Sequence, residues 1–320
     1  MNASQTRYLL VANGKAAGNP ELREGVNVAR QGGMSIDVQV TWETRDAVRF
    51  ARDAQALGFT HVIAAGGDGT VNEVVNGLMM LPKAKRPILG VVPLGSANDF
   101  ANSIGLPLAP DKALRAVVSL SVQWVDVVQV SFDPTSDSAK SYYLNMATGG
   151  FGAEISSSTP KALKRVLRGH AYSVMGALKA WRHYRYRADL CWEGAQQQHS
   201  SLLMLALGNA RQAGGGQVLA PQAKLDDGLL DVLLVKEFPS VKELPQLVRE
   251  LRSFPAEGQL VNYFTASWFE LSTYGDEPPW PLALDGETHE AFYFRAEVVP
   301  RAIQVAMPST CPMLSSFKPA

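Results

Sequence analysis

The sequence predicts an open parallel-sheet α/β domain, Rossmann-like in layout, over residues 1–130, followed by a β-rich domain over 131–304. Three observations carry this. Short apolar runs alternate with amphipathic stretches through the first 130 residues. The polar run Asp133-Pro134-Thr135-Ser136-Asp137-Ser138 then marks a change of texture. Beyond it, short strand-like runs are separated by Gly- and Pro-rich turns, as in an antiparallel sandwich or barrel. A length of 320 residues, at roughly 150 per domain, also suggests two domains.

Element by element, Tyr8–Ala12 reads as a buried strand that ends in the turn former Asn13-Gly14-Lys15. Residues 21–31 are helical in pattern and Ile36–Thr41 alternates like a strand. Ala47, Phe50, Ala51, Ala54 and Leu57 recur near the 3.6 period, predicting a helix over 44–57. His61–Ala65 is a strand, 70–81 a helix, Ile88–Pro93 a strand, and 97–103 and 111–120 are helical. Trp124–Val130 closes this half. Later strand candidates are Tyr142–Met146, Leu202–Leu207, Leu229–Val235, Trp268–Ser272, Leu282–Leu284 and Phe292–Val299. Helical inserts fall near 161–184 and 240–253.

Composition narrows the function. The hydrophobic content of 46% supports sizeable cores, and 19% charged residues is too few for a solvated disordered chain. Lys+Arg and Asp+Glu both number 30, so the strong positive field of a nucleic-acid binder is absent. Two cysteines, Cys191 and Cys311, fit a reducing compartment. The N-terminus has no basic segment leading into an apolar stretch, and runs such as Leu202–Leu207 are far shorter than the ~20 residues that cross a bilayer. The expectation is a cytoplasmic protein, or one that visits a membrane transiently from outside.

The sharpest motif is Gly66-Gly67-Asp68-Gly69-Thr70-Val71-Asn72-Glu73, directly after one strand and opening a helix. Glycines let the backbone turn tightly, and a helix N-terminus offers N–H groups and partial positive charge to an anion such as phosphate. The spacing matches neither G-x-x-x-x-G-K-[ST] nor G-x-G-x-x-G, which disfavours P-loop NTPases and Rossmann dehydrogenases. The bland alternative is a glycine turn needed for packing. A second loop, Leu94-Gly95-Ser96-Ala97-Asn98-Asp99-Phe100-Ala101, follows the next strand and weakens that alternative, because ligands of open α/β sheets bind beyond the carboxyl ends of the strands.

These two loops resemble the catalytic-domain signature of the diacylglycerol kinase superfamily, whose more distant relatives include NAD kinases and phosphofructokinases. The likeness continues through Asn145-Met146-Ala147-Thr148-Gly149-Gly150-Phe151-Gly152, through 208–216, through Leu225-Asp226-Asp227-Gly228-Leu229-Leu230, and through Leu284-Asp285-Gly286-Glu287. In that order the motifs are similar to those of the bacterial YegS-type lipid kinases. The resemblance implies a diacylglycerol kinase/phosphofructokinase-like nucleotide domain, a C-terminal β-sandwich, and a tail, about 305–320, that returns to the first domain.

The resemblance also implies site residues. ATP phosphates would meet Gly67, Asp68, Gly69, Thr70, Val71, Asn72 and Glu73, with hydroxyl contacts from Thr41 and from Ser96, which stands where the family usually has Thr. Asn13 is a lesser contact, because Asn13-Gly14 replaces the family's Asn-Pro. Mg2+, with Ca2+ as the alternative, would sit on Asp227 and the carbonyls of Lys224 and Leu229; hard cations take oxygen ligands. Asp99 and Asp126 match carboxylates that reach the metal through water. Glu287 would be the general base that takes the proton of a lipid hydroxyl. Read alone, Asp226-Asp227-Gly228 and Asp285-Gly286 are simply turns, and Asp285 either positions its turn or pairs with a cation.

Between Glu154 and Asp189 no acidic residue occurs, while Lys161, Lys164, Arg165, Arg168, Lys179, Arg182, Arg185 and Arg187 interleave with Tyr172, Trp181, Tyr184 and Tyr186. Such a segment suits peripheral contact with an anionic membrane, or is a solvated face paired with acids elsewhere. The histidines show no metal-ligand spacing. The reading is an ATP-dependent lipid kinase acting on a phosphatidylglycerol- or diacylglycerol-like acceptor. A kinase of a soluble polyol or nucleotide and a non-catalytic lipid or nucleotide sensor are its rivals.

Overall fold

The computed structural model describes residues 6–135, 140–150, 153, 186–195, 197–238, 240–274 and 277–316. The chain divides into two compact units. The first comprises residues 6–127, Leu225–Asp227 and 299–316; the second comprises Val128–Lys224 and Gly228–Val298, where described. The division falls inside a strand, at Val127/Val128.

The first unit runs β1 (Arg7–Ala12), α1 (Pro20–Gln31), β2 (Ser35–Val40), α2 (Asp46–Ala54), β3 (His61–Gly66), α3 (Asp68–Met79), β4 (Ile88–Pro93), α4 (Asp99–Ser103), α5 (Pro110–Ser119) and β5 (Ser121–Ser131). Its strands are parallel in the order β2-β1-β3-β4, and the chain's last strand joins beside β4 through Val305 and Leu89. Leu9, Leu10, Val11, Val62, Ile63, Ala64, Ala65 and Val92 are fully excluded from solvent. Unbroken apolar runs of this kind are what a parallel strand covered on both faces requires. At the edge, β2 mixes buried and exposed positions.

Helices pair on this sheet, α1 with α5 and α2 with α3. Asn19 caps α1 by accepting from the Leu22 N–H at 2.9 Å, and Pro20 supplies a preset first turn. At Gly77 an added Cβ would lie 2.3 Å from the Val48 carbonyl, so α2 and α3 touch through bare backbone. The late segments are tied in by hydrogen bonds. Leu225 N–H donates to Met313 O at 2.8 Å, Ser315 donates through N–H and hydroxyl to Asp226 at 2.7 and 2.8 Å, and Arg86 donates to Ala302 O at 2.7 Å.

The second unit is a β-sandwich. Its strands are β6 (Ser141–Tyr143), β7 (Met146–Gly150), β8 (Tyr186–Trp192), β9 (Gln198–Gly208), the short pair β10 (Gln212–Ala213) and β11 (Gln217–Val218), and β12 (Leu230–Lys236). After α6 (Leu244–Ser253) come β13 (Val261–Ala266), β14 (Trp268–Thr273), β15 (Trp280–Leu284), β16 (Glu287–Ala291) and β17 (Tyr293–Met307). The antiparallel order is β16-β15-β7-β9-β8-β14-β17, with β12 and then β13 added on β9. The 11-residue β9 pairs β8 through residues 198–202 and β7 through 204–208. Trp280 is fully buried in the main core with Tyr143, Phe269 and Phe294. A Cβ on Gly149 would meet the Trp280 indole nitrogen at 2.2 Å, so this motif glycine makes room for the core tryptophan.

Several elements differ from the sequence expectation. The single strand expected over Tyr142–Met146 is two, because the N–H groups of Leu144, Asn145 and Met146 all turn to Asp285. The last strand runs on to Met307 instead of stopping near residue 299. Strands β8, β13 and β16 were not anticipated. The helical insert near 161–184 lies outside the described residues.

Candidate active site

In the first unit, the C-terminal ends of four parallel strands build one crest. Residue Ala12 of β1 pairs with Val40 of β2 on one side and with Ala65 of β3 on the other, so these strand ends lie level. Thr41 and Gly14 then meet: the Gly14 N–H donates to Thr41 Oγ1 at 3.1 Å, and a Cβ on Gly14 would sit 2.4 Å from the Thr41 carbonyl. Asn13 donates to Thr70 Oγ1 at 3.2 Å. These bonds join the ends of β1 and β2 to the first turn of α3.

The two glycine loops are in backbone contact. A Cβ on Gly95 would lie 2.4 Å from Gly67 Cα, and one on Gly66 would strike the Thr70 side chain at 2.3 Å. A Cβ on Gly69, by contrast, would meet nothing within 4 Å. The Asp68 carboxylate accepts from the N–H groups of Asp99 and Phe100, both at 3.2 Å, and so caps α4 and fastens one loop to the other. Asn98, at a positive φ of 52°, clamps Gly95 from both sides, accepting from its N–H at 2.8 Å and donating to its carbonyl at 3.0 Å.

Other expected contacts divide by position. Thr70 and Val71 donate to the Gly67 carbonyl, while earlier N–H groups of the turn have no intrahelical acceptor. Val71 and Asn72 are buried. Glu73 is half-buried and Ser96 is exposed on the second loop. The loop after Thr41 is fixed by Asp46, which accepts from the N–H groups of Trp42 and Glu43 at 2.8 and 2.9 Å. Hydrogen bonds from the Glu43 backbone, the Arg49 guanidinium and the Trp42 backbone hold the Asp46 carboxyl down at about 2. No signal in the sequence marked Asp46 or Asn98 for these roles beyond their short polar side chains in turns.

The stretch expected to carry the metal lies at a bend. Asp226 is engaged by Ser315, Asp227 is exposed, and Gly228 has a φ of 75°. Leu225 O accepts from the Asp126 N–H at 2.7 Å, and the fully buried Asp126 carboxylate accepts from Arg301 N–H at 2.6 Å. Among the described residues no cluster of three His, Cys, Asp or Glu side chains could hold a metal ion. A carboxylate such as that of Asp227 is a hard oxygen donor of the kind Mg2+ or Ca2+ takes, and residues 224–229 include no His or Cys for a zinc-type site.

In the second unit, Glu287 is exposed and opens β16, the outermost strand beside β15. It follows the turn Asp285-Gly286, with φ of 48° and 94°. The Asp285 carboxylate accepts from the N–H groups of Leu144, Asn145 and Met146 at 2.9, 3.0 and 2.8 Å, and its own N–H donates to Met146 O at 3.0 Å. Asp285 is thus a turn fastener. His289 stacks on Phe132 with ring centres 5.1 Å apart, and burial lowers its pKa. The basic segment over 161–187 lies outside the described residues except Tyr186 and Arg187. Among the described residues, no helix is long and apolar enough to cross a membrane.

Residues 7–130 match the diacylglycerol kinase catalytic domain family, and residues 146–307 match the YegS C-terminal NAD kinase beta sandwich-like domain. A protein of Chromohalobacter salexigens named "Probable lipid kinase YegS-like" is 47% identical over 96% of this chain and 94% of its own. One of the same name from Yersinia pseudotuberculosis is 40% identical over 96% of this chain and 98% of its own. A crystal structure of a diacylglycerol kinase from Bacillus anthracis superposes with a TM-score of 0.70 at 19% identity, covering 95% of this chain and 98% of that one. At that identity the likeness is one of fold. Matched in both units and over nearly its whole length, the chain belongs to the diacylglycerol kinase catalytic-domain family of kinases, in its YegS-like branch.

Proposed function

We propose that this chain transfers the γ-phosphoryl group of ATP to the hydroxyl of a membrane lipid of phosphatidylglycerol or diacylglycerol type. The observation that carries the reading is the pair of glycine loops joined at Gly67 and Gly95, with open space at Gly69 beside a helix N-terminus. Relatives named as lipid kinases at up to 47% identity support the acceptor class.

In this reading the backbone of Gly67, Asp68 and Gly69 receives the phosphates, and the hydroxyls of Thr41 and Ser96 orient the nucleotide. Asp227 with the carbonyls of Lys224 and Leu229 would hold Mg2+ or Ca2+, which when bound offsets the charge of the transferring group. Glu287 takes the proton from the lipid hydroxyl as its oxygen bonds to phosphorus. The bond from phosphorus to the β–γ bridging oxygen breaks, leaving ADP. The interleaved basic and aromatic residues of 161–187 supply contact with an anionic cytoplasmic leaflet.

The test is transfer of labelled phosphate from ATP, with Mg2+, to a panel of hydroxylated lipids in mixed micelles. Phosphatidylglycerol, diacylglycerol, ceramide and sphingoid bases make up the panel. A labelled lipid that is lost in Glu287→Gln, with kcat lower by at least ~10²-fold and nucleotide affinity retained, is the expected result. Near-normal turnover in that variant would remove Glu287 from the mechanism. ATP binding without any labelled lipid would favour a soluble acceptor or a sensor.

A further inference from the structure

Trp42 is 93% exposed, the most exposed large apolar side chain among the described residues; Phe292 follows at 62%. A tryptophan carries on the order of 150–250 Å² of surface, so leaving it in water forgoes a large gain from burial. Its backbone is nonetheless fixed. The Trp42 N–H is held by Asp46 at 2.8 Å, the Glu43 N–H by the same carboxylate, and the preceding Thr41 is locked onto Gly14. Solitary exposed apolar residues need no explanation, but a rigidly mounted, fully presented indole at a strand end is a different object.

Register shows where its backbone lies. Val40 and Ala65 pair with the same residue of β1, Ala12, from opposite sides. Thr41 and Gly66 are each one step beyond that level, and Trp42 and Gly67 two steps. The Trp42 backbone therefore leaves the sheet level with the first glycine loop and two strand spacings away, about 10 Å. A nucleotide whose phosphates lie on the Gly67–Thr70 turn spans that distance with its ribose and base. On the intervening strand β1, the residues that follow Ala12 are Asn13, whose amide donates to Thr70, and Gly14, which has no side chain.

We infer that Trp42 is the stacking platform for the nucleobase of the bound nucleotide. The inference rests on the nucleotide reading of the glycine loops and adds to it the group that holds the base. Stacking uses the π-face that every base has, so the platform secures affinity and orientation without strict choice among purines.

The experiment measures binding of ADP and of inorganic tripolyphosphate to the full-length protein, its Trp42→Ala variant and its Trp42→Phe variant. Thermal midpoints confirm that folding is unchanged. Trp42→Ala is expected to weaken ADP about tenfold, about 1.4 kcal/mol, with tripolyphosphate unaffected. Trp42→Phe should keep most of the ADP affinity. ADP, but not tripolyphosphate, should quench tryptophan emission in the unaltered protein, and the quench should vanish in Trp42→Phe. Unchanged ADP affinity in Trp42→Ala, with tripolyphosphate still bound, overturns the platform and leaves the phosphate site standing. Loss of binding to anionic phosphatidylglycerol vesicles in Trp42→Ala, with ADP affinity intact, overturns it in favour of a membrane contact. If the unaltered protein binds neither ligand, the nucleotide reading itself fails.

Discussion

The crest of the first unit and the hairpin of the second, which carry the phosphate site and the base in the proposed function, are shaped by opposite means. The crest is defined by side chains that are absent: Gly14, Gly66, Gly67 and Gly95 sit where a Cβ would strike a neighbour within about 2.3–3.1 Å. The hairpin is defined by one side chain that is present, Asp285, which gathers three N–H groups from residues about 140 positions earlier. An anion site made from backbone needs glycine spacing along a short stretch. A base made from a carboxylate needs a fastener that only the tertiary fold supplies. The two should therefore fail differently.

The largest effect is expected at Gly95. Its added Cβ would meet Gly67 Cα at 2.4 Å and Asn98 Oδ1 at 2.8 Å, and the backbone neighbour has no room to yield. Gly95→Ala should cost about 1–3 kcal/mol of stability and abolish measurable nucleotide binding. Gly69→Ala is the matched contrast, since nothing lies within 4 Å of its Cβ. Alanine there should leave the thermal midpoint unchanged or raise stability by up to ~1 kcal/mol, yet weaken ADP about tenfold by intruding on the phosphates. Unaltered ADP affinity in Gly69→Ala, measured by calorimetry, would show that the open face of the loop is not where phosphate sits.

This contrast also explains what the sequence could convey. Strands β1, β3 and β4 are legible because both faces are covered and every residue after the first is apolar and buried, with glycine turns following at once. Motif and geometry coincide there because each contact joins loops that follow neighbouring strands. Strand β16 is not legible: Glu287-Thr288-His289-Glu290-Ala291 buries one residue, since among the described residues it pairs with β15 only. Its single local signal was Asp285-Gly286, a dipeptide suited to the positive φ that both residues adopt. That Asp285 fastens the turn to the β6–β7 junction, and in doing so splits the expected strand at Leu144-Asn145, depends on a pairing that no local pattern encodes. The extension of β17 past residue 299 was hidden by Pro300 and Arg301, the latter at a φ of 49°.

An intermediate effect is expected at Asp285, a positioning residue in this scheme. Asp285→Asn replaces one acceptor oxygen by an amide donor facing the N–H groups of three buried residues. It should lower kcat for lipid phosphorylation by about 10–100-fold while KM for ATP stays constant, because the nucleotide crest does not use this turn. Stability should fall by about 1–3 kcal/mol. A parallel rise in KM for ATP would mean that the hairpin and the glycine loops are not separable, and the comparison would break.

The smallest effect separates fastening from catalysis. Glu250 of α6 fastens a turn in the same way as Asp285, accepting from the N–H groups of Leu260 and Val261 at 2.9 and 2.8 Å and of Gln259 at 3.2 Å. No candidate catalytic residue is attached to that turn. Burial alone would raise the Glu250 pKa, but the backbone donors, Leu260 foremost, together with the Gln246 amide, leave it below the ordinary glutamate value. A carboxyl whose folded pKa is depressed contributes stability that is complete above its unfolded pKa and is lost as pH falls through the folded one. Urea unfolding of the unaltered protein should therefore show a decline on the acid side of the ordinary glutamate pKa. In Glu250→Gln that part of the decline should be missing, because its stability is already lower by about 1–2 kcal/mol at neutral pH. Lipid kinase kcat should be unchanged in this variant at temperatures where it remains folded. If kcat falls with Glu250→Gln as far as with Asp285→Asn, fastening any turn of the sandwich is enough to alter turnover. The special link between Asp285 and Glu287 would then be lost.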